Sequence, residues 1–488
     1  MAAETLDNLQ KILDTTLESF LDLARCDGGS VYTVRKNSGG EQIMKFEAMI
    51  TRSISLHGVP EHLRSLEFKI DDSSVVGRTA AHKKPVLLNL ISGQVSRRVG
   101  DMLKYATRNI FSGPLITPRG DLVGVVQLLN KLPKDGTPFD PHATSPLPNF
   151  DEQDERLFSI IARQTALAIE NSVLLEEQER LIEGFVNACV TAIEARDPVT
   201  SGHSVRVSNY TVGLAEAVNR TDRGPLRQIY FTPVQVRELR FAAMLHDIGK
   251  IGVKEEILLK QKKLFPYELE IISMRLKLMR AQMLLRQETE GKNYEAVIGQ
   301  IDSAWGRLVQ ANEPSAPRLF TFEIVEDLRS IRVPFDTGEI VTALTDEEAE
   351  RLTIATGSLS PAERTEIEGH VSKTFDILKM IPWSRGLEQV VDIASRHHEK
   401  LDGSGYPNQL TAEQIPPQTR MMTICDIFDA LTAKDRPYKL ALPVDRALDI
   451  IAASVKAGKL DSTYFDVFLE AQLHDLFVPA PGLTLHPA

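Results

Sequence analysis

Two adjacent imidazoles followed by a glycine-rich turn, His397-His398-Glu399-Lys400-Leu401-Asp402-Gly403-Ser404-Gly405-Tyr406-Pro407, suit metal chemistry better than core packing. Five more side chains of the same kind fall on helical stretches: His203, His246, Asp247, His370 and Asp426. Together the five imidazoles and two carboxylates offer enough nitrogen and oxygen ligands for two metal ions that share a carboxylate. Such a mixed set suits iron, manganese or zinc rather than calcium or magnesium, which take all-oxygen shells. Only 11 histidines occur in 488 residues, so five in one set is hard to ascribe to chance. The adjacent His246-Asp247 pair ends an apolar run, Phe241 to Leu245, where two polar groups are costly unless something neutralises them. A metal would do so.

Helices must position these residues. His203 opens one after Gly202, and His246 closes another. Ser360, Pro361 and Glu363 form a capping box that starts a helix carrying His370 on to Ile377-Leu378. A helix over Leu387 to His398 delivers the paired histidines, and one over Arg420 to Thr432 carries Asp426. Residues 262–357 interrupt this pattern with helical pieces at Ile271 to Leu285, around Trp305 and at Asp346 to Leu352, separated by loops at Asn312 to Pro317 and Val333 to Gly338. This stretch reads as an inserted helical subdomain serving packing, a lid or partner contacts. Short amphipathic helices follow Pro443 to about Leu476, and residues 477–488 form a tail.

The N-terminal part has a different period. An amphipathic helix over residues 4–25 precedes strands at Ser30 to Arg35, Gln42 to Arg52, Pro85 to Leu90, Ile110 to Ile116 and Leu122 to Leu129, the last two joined by the turn Thr117-Pro118-Arg119-Gly120-Asp121. Mixed helices and antiparallel strands indicate an α+β domain. From Asp151 to Asp197 there is no proline, so one helix of roughly 70 Å is expected. Along it Ile160-Ile161, Leu167-Ala168, Leu174-Leu175 and Leu181-Ile182 recur every seven residues, interleaved with Gln164, Asn171 and Gln178. That seam predicts a parallel two-stranded coiled coil and hence a homodimer.

Bulk properties exclude some classes. The net charge of -11 argues against non-specific binding to nucleic-acid polymers or anionic membranes. No run of 18 apolar residues occurs, and the acidic N-terminal stretch (Glu4, Asp7, Asp14, Glu18) lacks the regions of a signal peptide, so a cytoplasmic protein is expected. Cys26, Cys189 and Cys425 show no paired spacing and support neither a disulfide framework nor a zinc cluster.

Residues 1–178 resemble the GAF family of small-molecule sensor domains, through Asn130-Lys131, Phe150 and Asp154-Glu155, which fit that family's N-K…F-x-x-x-D-E pattern. The resemblance implies a small-molecule or cyclic-nucleotide effector; the same Lys131 and Asp154 would equally serve as an ion pair pinning strand to helix. Residues 185–476 resemble the HD-GYP domain, a branch of the HD phosphohydrolases that degrades cyclic dinucleotides. The match runs through Gly202-His203-Ser204, His246-Asp247-Ile248-Gly249-Lys250, His370-Val371, His397-His398 to Pro407, and Asp426 to Arg436-Pro437-Tyr438-Lys439. The whole chain would then be multidomain: an α+β sensor, a connecting helix over 151–197, and an all-α HD-type bundle containing the 262–357 insertion.

The second resemblance implies that His203, His246, Asp247 and Asp426 hold one divalent ion, and Asp247, His370, His397 and His398 a second, with Asp247 bridging. Iron or manganese is expected. Some members hold a third ion through a glutamate four residues before the first histidine; Val199 stands there, so a two-metal site follows unless a carboxylate such as Glu194 reaches in. Asp247 and Lys250 would be catalytic. Lys250, Gly403, Gly405, Tyr406, Arg436 and Lys439 would contact substrate, with Arg436 and Lys439 clamping a phosphate. The implied reaction is hydrolysis of cyclic di-GMP to linear pGpG or GMP under control of the sensor. The alternatives are another cyclic dinucleotide such as cyclic GMP-AMP, or a signalling adaptor that binds nucleotide, or a protein at the G-Y-P loop or insertion, without turnover.

Overall fold

A computed structural model describes residues 2–37, 39–60, 63, 65–89, 105–140, 146–197, 202–433 and 441–476. The chain divides into two compact units, Met1–Glu183 and Gly184–Ala488. The helix Glu152–Arg196 contributes residues to both.

The first unit is built on an antiparallel sheet of seven strands: β1 (Cys26–Lys36), β2 (Gln42–Thr51), β3 (Leu56–His57), β4 (Glu67–Lys69), β5 (Val86–Leu88), β6 (Ile110–Ile116) and β7 (Leu122–Lys131). Their order is β3-β2-β1-β7-β6-β5, with β4 also on β2. Side chains alternate between two cores, as a pleated strand requires. Val31, Ile50 and Val126 face one side with Leu17 and Phe20 of the first helix (Ala2–Ala24) and with Phe158, Ala162, Ala166 and Ile169 of the long helix. Tyr32, Met49 and Val125 face the other, with Val76 and Ala80 of the helix Val75–His82. The turn predicted at Thr117 to Asp121 joins β6 to β7, with the Gly120 N–H donating to Thr117 O (2.9 Å). The short strands β3 and β4 and the helix Val75–His82 carry too few periodic residues to stand out in the sequence.

The second unit is helical. His203–Asn219, Pro233–Leu245, Pro361–Glu368, His370–Leu378, Val390–Ala394 and Pro417–Thr432 bring the site together, and Val444–Lys456 and Ser462–Glu470 follow. Two expectations are corrected. The helix started by the Ser360 capping box ends at Glu368, and a new one begins at His370. The helix predicted over Leu387 to His398 is only Val390–Ala394, so the paired histidines lie on the turns after it.

The 262–357 stretch has its own hydrophobic core, from Leu264 through Met279, Leu308 and Leu328 to Leu352. Its helices Pro266–Glu290, Glu295–Ala311, Arg318–Ser330 and Asp346–Leu352 enclose that core. The loop expected at Val333 to Gly338 belongs instead to a hairpin, Arg332–Pro334 paired with Ile340–Thr342. No helix among the described residues is long and apolar enough to cross a membrane. Residues 477–488 lie outside the described residues.

Candidate metal centre

Three histidines reach the site by one device. A helix leaves its last carbonyls without backbone partners, and a nearby imidazole can satisfy one. His246 Nδ1 bonds Ala243 O at 2.7 Å where Pro233–Leu245 ends. His370 Nδ1 bonds Ile367 O at 2.6 Å where Pro361–Glu368 ends, and His397 Nδ1 bonds Ala394 O at 2.6 Å where Val390–Ala394 ends. A carbonyl only accepts, so each Nδ1 carries its proton and each Nε2 is left to face the site.

Two threonines fasten these ends together. Thr374 Oγ1 donates to His246 O (2.9 Å) and accepts the Gly249 N–H (3.0 Å). Thr423 Oγ1 donates to His397 O at 2.8 Å.

The result is a buried cluster. His370, His397 and His398 bring ligand atoms within 4.8 Å of one another, as do His203, His246 and Asp247, and as do His246, His397 and Asp426. All seven side chains singled out in the sequence are therefore gathered in one place. The two oxygens of Asp247 face different partners: Oδ1 lies 3.3 Å from His370 Nε2, whereas Oδ2 lies 3.4 Å from His246 Nε2 and 3.9 Å from His203 Nε2. Lys250 Nζ sits 2.8 Å from Asp247 Oδ2 and 3.3 Å from Asp197 Oδ2.

The electrostatics separate the imidazoles into two kinds. Burial lowers the affinity of His203 for a proton, but the hydrogen bonds it donates to Asp426 and Asp429 outweigh it and raise the pKa to about 9. His246 is likewise raised, the charge of Asp247 overcoming burial. Burial lowers His398 to about 4 and, with the neighbouring imidazoles, holds His397 well below its ordinary value. His397 is thus a bare lone pair at neutral pH. The Nε2 atoms of both His370 and His397 are buried and make no well-directed hydrogen bond among the described residues, that of His370 lying 3.3 Å from Asp247 Oδ1. Burial opposes ionisation of Asp247 and Asp426, yet Lys250 and His246 hold the first, and the His203 hydrogen bond and His246 the second, far below the usual carboxylate range. Partnerless nitrogens beside ionised carboxylates are costly to bury unless a cation joins them. The donor set fits a metal.

The residues of the cluster fall in stretches that match known families. Residues 8–169 match the family model described as GAF domain, and residues 200–303 and 346–464 match two models each described as HD domain. The chain pairs a GAF domain with an HD domain. His203, His246 and Asp247 lie in the first HD match and His370, His397, His398 and Asp426 in the second; residues 304–345 lie between the two matches. Among relatives, a 3'3'-cGAMP-specific phosphodiesterase 3 of Vibrio cholerae is 26% identical over 322 residues, 65% of this chain and 46% of its own. The cyclic di-GMP phosphodiesterase response regulator RpfG of Xanthomonas campestris is 26% identical over 322 residues, 64% of this chain and 55% of its own. A cyclic di-GMP phosphodiesterase of Thermotoga maritima is 35% identical over 113 residues, 23% of this chain and 30% of its own. The chain thus spans about half the length of the first two.

Beside the HD cluster, the Tyr406 ring lies 4.8 Å from that of His398. Gly403 has φ 77, a left-handed turn conformation. Gly405 is required by space, since a Cβ there would lie 2.4 Å from Lys400 N. Glu399, whose role the sequence does not reveal, accepts the N–H groups of Asn408 (2.7 Å) and Leu410 (2.9 Å) and so ties the loop to the histidine pair. Glu194 accepts the Gly202 N–H (2.8 Å) and belongs to none of the ligand groups among the described residues. Val199, Arg436 and Lys439 lie outside the described residues. Sequence reading also passed over Asp429, Arg206 and Asp197; the spacing of Asp429 three residues after Asp426 was the available signal.

In the GAF domain Lys131 binds its motif partners Asp154 and Phe150, while Asn130 binds residues outside the motif. Lys131 Nζ donates to Asp154 and to Asn149 O (3.1 Å) and lies over the Phe150 ring. Asn130, at φ 56, accepts the Arg108 N–H (2.7 Å) and donates to Ala106 O (2.7 Å) and the Tyr105 hydroxyl (3.1 Å). Glu155 follows on the first turn of the long helix. These contacts pin the end of β7 to its neighbouring segments.

Proposed function

We propose that this chain is a metal-dependent phosphodiesterase acting on cyclic dinucleotides, with cyclic di-GMP as substrate and linear pGpG or GMP as product. One observation carries the proposal: Asp247 Oδ1 faces the buried Nε2 of His370 while its other oxygen faces His203 and His246, and the buried Nε2 of His397 belongs to ligand groups on both sides, with His370 and His398 and with His246 and Asp426. That arrangement suits two divalent ions, His203, His246, Asp247 and Asp426 holding one and Asp247, His370, His397 and His398 the other. We assign iron or manganese as the HD-GYP resemblance implies; the mixture of imidazole and carboxylate fits either. Such ions supply a nucleophile at neutral pH and neutralise charge that develops on phosphorus oxygens.

The protein's own groups orient the substrate. Burial works against the Lys250 ammonium, but Asp247 and Asp197 overcome it and raise its pKa, so it stays charged. It is therefore suited to hold a phosphate oxygen and poorly suited to release a proton. Tyr406 offers a ring for a base at the edge of the histidine cluster, and Arg436 and Lys439 complete the phosphate clamp. The relatives' names include both cyclic di-GMP and 3'3'-cGAMP, and we favour the former.

We further read the chain as a homodimer with a cytoplasmic site of action, regulated by a small molecule in the GAF domain. Ile160, Leu167, Leu174 and Leu181, seven residues apart, are 67%, 38%, 52% and 74% exposed, which supports a parallel seam between two copies. The test is metal analysis of anaerobically purified protein coupled to a product assay over a panel of cyclic dinucleotides. About two equivalents of iron or manganese and linear product from cyclic di-GMP are expected. Absence of product with every metal and every dinucleotide would overturn the reading.

A further inference from the structure

Four imidazoles of the cluster have an identified partner for the ring nitrogen turned away from it. Three use the carbonyl three residues back. His203 differs: its Nδ1 lies 2.7 Å from Asp429 Oδ2. Asp429 is 1% exposed and stands one turn beyond Asp426 on the helix Pro417–Thr432. Since Asp426 Oδ1 lies 3.2 Å from His203 Nε2, two carboxylates of one helix bracket the ring. Arg206, three residues after His203 on its own helix, grips Asp429 through Nε to Oδ1 (2.7 Å) and Nη2 to Oδ2 (3.1 Å).

His203 is the first residue of its helix, and its Nδ1 is met from outside that helix. A side chain from another helix fills that place. We infer that Asp429 is a positioning residue: it accepts the Nδ1 proton of His203, fixes the tautomer that leaves Nε2 toward the cluster, and strengthens Nε2 as a metal donor. A carboxylate behind a ligating imidazole does all three, and its removal costs about 10–100-fold in metal affinity. Arg206 fixes the carboxylate in turn. This inference rests on the metal reading given above.

The test uses the full chain and Mn²⁺ alone, with binding isotherms measured by competition against a chromophoric chelator. In Asp429→Asn, one of the two equivalents should weaken by about 10–100-fold while the other stays within about twofold. Arg206→Met separates positioning from mere joining of helices, because it removes the inter-helix ion pair and leaves the Nδ1 contact. It should lower the thermal midpoint yet hold Mn²⁺ more tightly than Asp429→Asn. Should Asp429→Asn fail to fold, ¹⁵N spectra of the wild type loaded with a diamagnetic divalent ion decide the matter: Nδ1 of His203 must carry a proton. Wild-type affinity in Asp429→Asn, equal weakening in Arg206→Met, or an unprotonated His203 Nδ1 overturns the inference. No metal uptake by the wild type would instead overturn the metal reading itself.

Discussion

Gly249→Ala tests whether the cluster depends on the close approach of two elements. Gly249 lies in the turn Ile248–Gly252, just after the His246-Asp247 pair. A Cβ there would lie 1.9 Å from His370 O, 2.5 Å from Thr374 N and 2.8 Å from Thr374 Oγ1. Ordinary contact begins at 3.4 Å, so the helix His370–Leu378 must retreat by about 1.5 Å. The same retreat pulls Thr374 from both its partners, His246 O and the Gly249 N–H. Overpacking costs about 1–3 kcal/mol and each lost hydrogen bond about 1 kcal/mol, so the HD unit should lose about 3–5 kcal/mol. Metal positions tolerate only about 0.2 Å, and a displacement near 1 Å costs about 100-fold in turnover. The assay combines metal per chain, turnover and the unfolding midpoint, with Gly299→Ala as control. Gly299 has nothing within 4 Å of its Cβ position, and alanine in that helix should stabilise by about 0.5–1 kcal/mol. Full metal content with an unshifted midpoint in Gly249→Ala would refute the packing argument.

Asp247→Asn removes the carboxylate that faces both imidazole sets and should cut turnover by at least about 10³-fold, or about 4 kcal/mol of barrier; near-normal turnover in that variant would exclude a shared carboxylate. Glu363→Gln breaks a buried pair with Lys260 (2.7 Å) and should destabilise by about 3–5 kcal/mol at pH 7 in chemical denaturation. Burial opposes the Glu363 charge, but Lys260 and the Ser360 N–H hold its pKa below the ordinary 4.5, whereas for Lys260 burial prevails and its pKa is lowered. The carboxylate's contribution is therefore full above pH 4.5 and fades as pH falls through its folded value, so the difference between wild type and variant should narrow in acid; a constant difference contradicts this. Lys131→Met strands Asp154 in the GAF core and should lower the stability of that unit by about 3 kcal/mol, read as an earlier unfolding transition with unchanged metal content.

Much of the HD cluster was legible because its chemistry is written in residue type. His203, His246, Asp247, His370, His397, His398 and Asp426 are separable from core residues by composition alone, and the Ser360 to Glu363 capping box marks its helix without any tertiary knowledge. What stayed hidden depends on distance between segments. Asp429 is one aspartate among many until His203 and Arg206 arrive from 223 to 226 residues away. The end of the helix after Ala394 was missed because nothing in Ser395-Arg396-His397-His398 breaks a helix locally; the departure coincides with His397 bonding the Ala394 carbonyl. The hairpin at 332–342 escaped because three-residue strands carry no measurable period.

The different supports of the imidazoles have a consequence for how this sequence tolerates change. A main-chain carbonyl persists whatever residue occupies Ala243, Ile367 or Ala394, so the acceptors behind His246, His370 and His397 cannot be deleted by a codon change. The acceptor behind His203 is encoded in a single side chain, Asp429. Random drift would therefore loosen His203 before the other three, and a lineage relieved of selection would pass first through forms with three anchored imidazoles and one adrift.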